Sequence, residues 1–259
     1  MLKGKQQVVY VMLITAIFFY SCEKEVSSDM LVERNGLKYE INSEKPFSGK
    51  SVEYFDGGEV KSRSKSYKDG KLDGVLRIWF ENGQISSEDS YKDGLMHGTS
   101  GEWYDNGQMK MDMKFKDGLE SGDNSVWYEN GQLWAETSWK DGKINGTFMS
   151  WQENGQPDTE EHYKDDILHG VKKTWHKNGQ LQIKTIYKNG LFHGPAKSWY
   201  ENGQAEMEFT FIENEEDGIF HEWYENGSLK SEGKYLKGQK VGPWTYRDQN
   251  GDEKIVMNE

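Results

Sequence analysis

The chain has 259 residues, of which 34% are hydrophobic and 14% are aromatic, and its formal net charge is −12. A surface this acidic repels phosphate groups, which argues against nucleic acid as a partner and favours either simple solubility or attraction to a basic protein. The single cysteine excludes an intramolecular disulfide, and 29 glycines against 4 prolines predict many glycine-made turns.

The first 21 residues have the organisation of a secretory leader. Lys3 and Lys5 give a positive start, a mostly apolar run covers residues 8–20, and Cys22 stands directly before a polar stretch. The apolar run is shorter than the ~20 residues that span a bilayer as a helix. The sequence Phe-Tyr-Ser-Cys at 19–22 resembles a bacterial lipobox, which implies cleavage before Cys22 and attachment of lipid to it.

We therefore predict a lipoprotein signal peptide over 1–21, a polar tether over 22–33, and a cell-envelope protein that is anchored outside the cytoplasm through Cys22. The alternative is an ordinary signal peptide followed by an incidental cysteine. The sequence does not indicate which membrane leaflet would hold the anchor.

From residue 79 onward, one pentapeptide returns at an interval of 24 residues, beginning with Trp-Phe-Glu-Asn-Gly at 79–83. Its tryptophans are Trp79, Trp103, Trp127, Trp151, Trp175, Trp199 and Trp223. A second aromatic stands twelve residues after each, usually followed by Lys-Asp-Gly and a further glycine. This second series comprises Tyr67, Tyr91, Phe115, Trp139, Tyr163, Tyr187, Phe211 and Tyr235. A strict period indicates a stacked repeat array, in which the tryptophans are structural.

Each unit has the sequence of a β-hairpin. Asn-Gly is the strongest short hairpin-turn signal, and its flanks alternate between apolar and polar residues, as in 108–115. A two-residue loop would pair Tyr104 with Met109 and leave Trp103 on the polar face. A three-residue loop over 105–107, with its glycine as a bulge, pairs Trp103 with Met109 and places the tryptophan and the aliphatic column on one face. We predict the three-residue loop.

The predicted fold is all-β: a repeat array of antiparallel β-hairpins that forms an elongated, twisted or curved single-sheet meander over residues 34–259. About nine 24-residue units fit, and the outer two are atypical, as expected of units that cap a stack. Residues 54–58 repeat the phrase with a slip of one residue, and Trp244 with Asn250-Gly251 closes the array with altered spacing. Nine two-strand units would extend about 85 Å.

The succession Glu-Asn-Gly-Gln, aromatic, Lys-Asp-Gly, His-Gly and Trp-Tyr resembles the bacterial MORN-repeat variant family, whose members are commonly described as YwqK-type antitoxin components. The resemblance covers about residues 34–251. It implies an extended hairpin array and, as in the parent MORN repeats, protein scaffolding or contact with membrane lipids. It also implies an antitoxin-like role. However, a leader that ends at Cys22 directs the protein away from the cytosol, where antitoxins normally meet their toxins.

No catalytic motif is present, and acidic residues recur at one turn position in six of the seven units that carry the pentapeptide, which is typical of a scaffold; we predict no enzyme. His97, His169 and His193 share one loop position. Neighbouring units lie ~9.6 Å apart whereas zinc–nitrogen bonds measure ~2.0 Å, so we predict no metal or other cofactor. The acidic loop 213–218 lacks the spacing of a calcium loop, and we predict a solvated turn.

A row of aromatic and amide side chains on the other predicted face is the candidate binding surface. It comprises Phe80, Tyr104, Tyr128, Tyr200 and Tyr224, beside Gln84, Gln108, Gln132 and Gln204. Such a row can stack sugars or hold an extended peptide, but we favour a cross-strand ladder that stabilises the sheet.

The primary hypothesis is a non-enzymatic, lipid-anchored, extracytoplasmic repeat protein that binds or scaffolds other proteins. One alternative is an antitoxin-like protein that neutralises a basic toxin with its acidic sheet. A further alternative is an aromatic repeat array that binds the cell wall or another glycan.

Overall fold

The computed structural model describes residues 23–258, so the predicted signal peptide and Cys22 lie outside the described residues. Within that range no helix is long and apolar enough to cross a membrane. The described part is built from β-strands and one short 3-10 turn, Ser28–Met30. The strands are β1 Glu25–Ser27, β2 Leu31–Arg34, β3 Leu37–Glu40, β4 Gly49–Tyr54, β5 Lys61–Lys68, β6 Lys71–Trp79, β7 Ile85–Lys92, β8 Leu95–Trp103, β9 Met109–Lys116, β10 Leu119–Glu120, β11 Gly122–Trp127, β12 Leu133–Lys140, β13 Lys143–Trp151, β14 Pro157–Lys164, β15 Ile167–Trp175, β16 Leu181–Lys188, β17 Leu191–Phe192, β18 Gly194–Trp199, β19 Ala205–Ile212, β20 Glu215–Glu216, β21 Gly218–Trp223, β22 Leu229–Leu236, β23 Gln239–Arg247 and β24 Glu253–Asn258.

One sheet contains 22 of these strands, and from β4 onward it is a meander in which successive strands pair antiparallel. Three strand positions are each divided into two short segments, because β10 and β11 both pair with β9, β17 and β18 with β16, and β20 and β21 with β19. The sheet is mixed, since β1 joins β4 in parallel, and it does not close on itself. The predicted all-β array of hairpins is confirmed.

The N-terminal end of the array begins earlier than predicted. Residues 22–33 were expected to form a polar tether, but Glu25–Ser27 is strand β1 of the main sheet and Leu31–Arg34 pairs with β3 in a separate two-stranded sheet. This segment therefore belongs to the fold from Glu25 onward. Strand β1 is too short to show an alternation of apolar and polar residues that would predict a strand. Its parallel pairing with β4 also joins segments that are distant in the sequence, so local sequence does not predict it.

The Asn-Gly loop has the predicted three-residue form. The Tyr104 N–H donates to the Gln108 carbonyl at 2.8 Å, and the Gly107 N–H donates to the Tyr104 carbonyl at 2.9 Å. Gly107 adopts a φ of 83°, which favours glycine. Trp103 pairs with Met109, so the predicted loop and the pairing beside it are both confirmed.

The predicted common face for tryptophan and the aliphatic column is wrong beyond that first pair. The register shifts by one residue next to Trp103, so that Glu102 pairs with Met111. Residues directly opposite each other share a face, whereas successive residues of one strand alternate. Met111 therefore lies on the face of Glu102, opposite to Trp103. The cause is a β-bulge, an extra residue that local alternation cannot reveal.

The sheet thus has two faces. We call the face of the tryptophan column the tryptophan face, and the opposite one the aromatic face. The aromatic face carries Tyr67, Tyr91, Phe115, Trp139, Tyr163, Tyr187, Phe211 and Tyr235.

The large apolar side chains that are buried lie near the two ends of the array. Near the N-terminal end, Phe47 and Val52 are only 3% and 4% exposed. At the other end, Trp244 is 1% exposed and lies over Gly233, where any Cβ atom would overlap its ring. Between the two ends, most apolar side chains of the sheet remain partly accessible.

Candidate functional site

The predicted tyrosine row connects consecutive repeats. The Tyr104 hydroxyl donates to the Trp127 carbonyl at 2.8 Å, and the Tyr128 hydroxyl donates to the Trp151 carbonyl at 3.0 Å. Tyr200 and Tyr224 make the equivalent bonds to the carbonyls of Trp223 and Arg247 at 2.8 and 2.9 Å. The hydrogen of each of these hydroxyls is therefore already used in a bond within the array.

The glutamines of the same row pack against the turn of the following repeat. A Cβ atom on Gly131 would lie 2.5 Å from Oε1 of Gln108, and a Cβ atom on Gly155 would lie 3.0 Å from Oε1 of Gln132. Gln84 approaches Gly107 in the same way at 3.4 Å. The turn glycine is thus needed both for its positive φ and for the space that the neighbouring amide fills.

The loop asparagines form a parallel ladder. Asn106 donates through Nδ2 to the Glu129 carbonyl at 3.0 Å, while its Oδ1 accepts the Gln108 N–H at 2.9 Å. Asn202 repeats the first contact on Glu225 at 2.7 Å. These contacts support the ladder interpretation of the tyrosine and glutamine row, and binding of a ligand by that row stays a prediction.

The repeated histidines also contact the next unit. His97 Nδ1 lies 3.1 Å from Asp117 Oδ1, and His169 Nδ1 lies 3.2 Å from Asn189 Oδ1. The buried Nδ1 of His193 has no hydrogen-bond partner among the described residues. Across residues 23–258, no three His, Cys, Asp or Glu side chains converge as a metal site would require.

A groove on the aromatic face was not predicted from the sequence. Its inner part, which we call the slot, is a cavity of about 200 Å³ bounded by Ile183, Phe192, Phe209 and Phe211. Ala196, 3% exposed, lies at its base. The repeat offers only a partial signal, because the position of Ala196 holds Phe148, Phe220 and Trp244 in three other units but Ser100, Asn124 and Lys172 in three more.

The outer part of the groove, which we call the mouth, is a cavity of about 360 Å³ on the loop side of the slot. The two cavities are adjacent, since Ile183, Ser198 and Met207 line both of them. The mouth also contains Glu201, Glu206 and Glu225 beside Tyr200. Burial, followed by the Glu206 carboxylate, raises the pKa of Tyr200, so the phenol stays neutral and keeps its bond to the Trp223 carbonyl.

The sequence profile of the family described as MORN repeat variant matches residues 72–93, 121–141, 144–165, 168–189, 192–213 and 216–237, together about half of the chain. The chain belongs to the MORN repeat variant family. Each match to a MORN repeat covers a strand, the Asn-Gly loop and the next strand, as 144–165 covers β13 and β14. The unmatched residues between 93 and 121 form the same hairpin, β8 and β9.

No curated protein matches the chain. MORN repeats of this kind are consistent with a protein-binding or scaffolding module, and their repeated β fold is typical of proteins that are not enzymes.

Proposed function

We propose that this MORN-repeat protein is a non-enzymatic binding module that holds a protein partner on its aromatic face. One observation carries the proposal: the aromatic face has no covering layer among the described residues, and it contains an open groove walled by Phe192, Phe209 and Phe211. Ile183, at the rim of this groove, is 38% exposed. Accessible apolar surface of this kind is typical of interaction sites.

We further propose that the module is anchored by lipid on Cys22 and acts outside the cytoplasm. The positive start, short apolar run and lipobox-like sequence support this proposal. Strand β1 begins at Glu25, so an anchor on Cys22 would hold the N-terminal end of the array close to the membrane. Replacing Cys22 by serine should release the protein from membranes. Unchanged membrane association would contradict the lipoprotein proposal.

Two adjacent residues of β16 allow a matched test of partner binding. Ile183 and Lys184 are both exposed, but Ile183 lines the groove whereas Lys184 pairs with Lys173 on the tryptophan face. We expect Ile183→Asp to lose a protein that the wild-type chain captures from native membranes, and Lys184→Asp to retain it. Capture that is unchanged in Ile183→Asp, or lost equally in both variants, would refute the aromatic face as the binding surface.

A basic toxin is a second candidate partner, because the chain carries a net charge of −12 and presents three carboxylates at the mouth of the groove. Such an antitoxin-like complex should have one-to-one stoichiometry and weaken steeply as salt screens the charges. Sedimentation of the purified complex in low and high salt measures both properties. A complex that is insensitive to salt would rule out charge neutralisation as its basis.

A further inference from the structure

A gap in the aromatic packing creates the slot. Ring contacts run continuously from Tyr187 through Phe192 and Phe211 to Phe209, with centroids 4.5, 4.9 and 5.0 Å apart. Phe209 then meets Phe220 at 5.9 Å. Ala196 lies within this cluster and contributes no ring, so the rings around it form walls without filling the centre. A cavity of about 200 Å³ is large enough for one leucine or phenylalanine side chain.

The mouth is acidic, and no cationic side chain of the described residues pairs with its three carboxylates. In the part of the chain that the structure describes, the carboxylates of Glu201, Glu206 and Glu225 make neither a hydrogen bond nor an ion pair. The neighbouring Glu222 is already neutralised by Lys230 at 2.7 Å. The backbone of Lys197 contributes to the slot, but its side chain pairs with Glu208 at 2.9 Å on the tryptophan face.

We propose that the groove binds an extended peptide segment of a partner protein that carries a lysine or arginine and, a few residues away, a large apolar side chain. The apolar side chain fills the slot over Ala196, and the cation lies among the three carboxylates of the mouth. This assignment rests on the proposed function and names the chemistry of its partner.

The geometry of the strands sets the spacing within the peptide. Ala196 lies at the base of the slot, and Tyr200 in the mouth follows it by four residues along the chain. Four residues of extended backbone cover about 13 Å. A peptide that runs alongside this strand therefore needs its basic and apolar residues four positions apart, which also directs both side chains toward the sheet.

Charge and apolar burial favour this ligand over the obvious alternatives. An anionic peptide or a phosphate would meet three carboxylates without a counter-charge, which costs binding energy. A fully apolar ligand would fill the slot but gain no attraction from the carboxylates of the mouth. The full-length chain, placed in nanodiscs of zwitterionic phosphatidylcholine, provides an assay in which lipid charge plays no part.

The probe is a labelled peptide of nine residues with arginine at its third position and phenylalanine at its seventh, the other positions being glycine or serine. Fluorescence anisotropy should show binding at low salt. Replacing the peptide's arginine by glutamate, or its phenylalanine by alanine, should each weaken binding at least about tenfold. Equal binding of all three peptides would overturn the proposal.

Variants of the protein locate the site. Ala196→Phe fills the slot with the residue that Phe220 supplies at the same repeat position, and should weaken binding at least about tenfold. Ala135→Phe, the same change at another buried alanine on the aromatic face, is the control and should bind as the wild type does. Glu206→Gln should weaken binding about two- to fivefold, and Glu129→Gln, in a loop outside the groove, should have no effect.

Ile183→Asp, at an exposed rim position, serves as a second variant if Ala196→Phe unfolds. Peptide binding that survives both changes would overturn the site. Absence of peptide binding up to about 1 mM, while Ile183→Asp still abolishes capture of a membrane protein, would overturn the ligand class and leave the proposed function standing. If Ile183→Asp still binds the peptide and still captures the membrane protein, both the proposed peptide site and the proposed function would be overturned.

Discussion

Replacing Tyr128 by phenylalanine would remove one hydroxyl and keep the ring. The lost bond, 3.0 Å to the Trp151 carbonyl, joins one repeat to the next. A net contribution of about 1 kcal/mol is typical of such a bond, and a carbonyl left without a partner raises the cost toward about 2 kcal/mol. Tyr104, Tyr200 and Tyr224 make equivalent bonds. The effects of replacing well-separated residues on the free energy of unfolding are additive. The fourfold replacement should therefore lower the free energy of unfolding by about 4 kcal/mol.

The chain supplies its own control for this prediction. The hydroxyl of Tyr187 has no hydrogen bond among the described residues, although its ring packs 4.5 Å from that of Phe192. Tyr187→Phe should therefore leave the free energy of unfolding nearly unchanged. Equilibrium unfolding in urea, followed by circular dichroism, measures all the variants. Equal effects of Tyr128→Phe and Tyr187→Phe would refute the idea that the tyrosine row is an inter-repeat ladder.

Three further outcomes are expected. Gly131→Ala should cost at least about 1 kcal/mol in urea unfolding, because its φ is 84° and the added Cβ would meet Gln108; a neutral effect would contradict this packing. Burial raises the pKa of Tyr128 and of Tyr200, so their contribution to stability is complete below the ordinary tyrosine pKa of about 10 and is lost as pH rises through the higher folded-state pKa. Unfolding at pH 8 to 11 should show this decline, and a stability that stays flat to pH 11 would contradict it. If the array instead binds glycan, the protein should stay on isolated envelope at high salt, and joint replacement of Tyr104, Tyr128 and Tyr200 by alanine should release it; retention by the triple variant would eliminate that alternative.

The local features of the fold could be predicted from the sequence because each repeats with the period. The Asn-Gly pair specifies a tight loop, and the alternation after Gln108 specifies a strand, so the pairing of Trp103 with Met109 followed from local rules. The bulge beside that pair could not be predicted in the same way. It depends on how two strands match over their whole length, and one extra residue sends Met111 to the opposite face.

The groove could not be predicted from the sequence, because it depends on which side chains lie close together in space. The tyrosine row is conspicuous in the sequence because it repeats. In the structure this repetition reflects contacts between units, such as the hydrogen bond from the Tyr104 hydroxyl to the Trp127 carbonyl. The groove arises at Ala196, at a position that varies from unit to unit, and the effect of one small residue is evident only once its neighbours in space are known. The role of β1 likewise depends on a distant partner, β4.

Photo-crosslinking from two neighbouring positions would show directly which face of the sheet holds the partner protein. A photoreactive amino acid at position 183 would face the groove, whereas the same residue at position 184 would face the tryptophan side of the sheet. In native membranes, we expect a discrete adduct with a partner protein from position 183 and none from position 184. Adducts of equal yield from both positions, or an adduct from position 184 alone, would contradict this expectation.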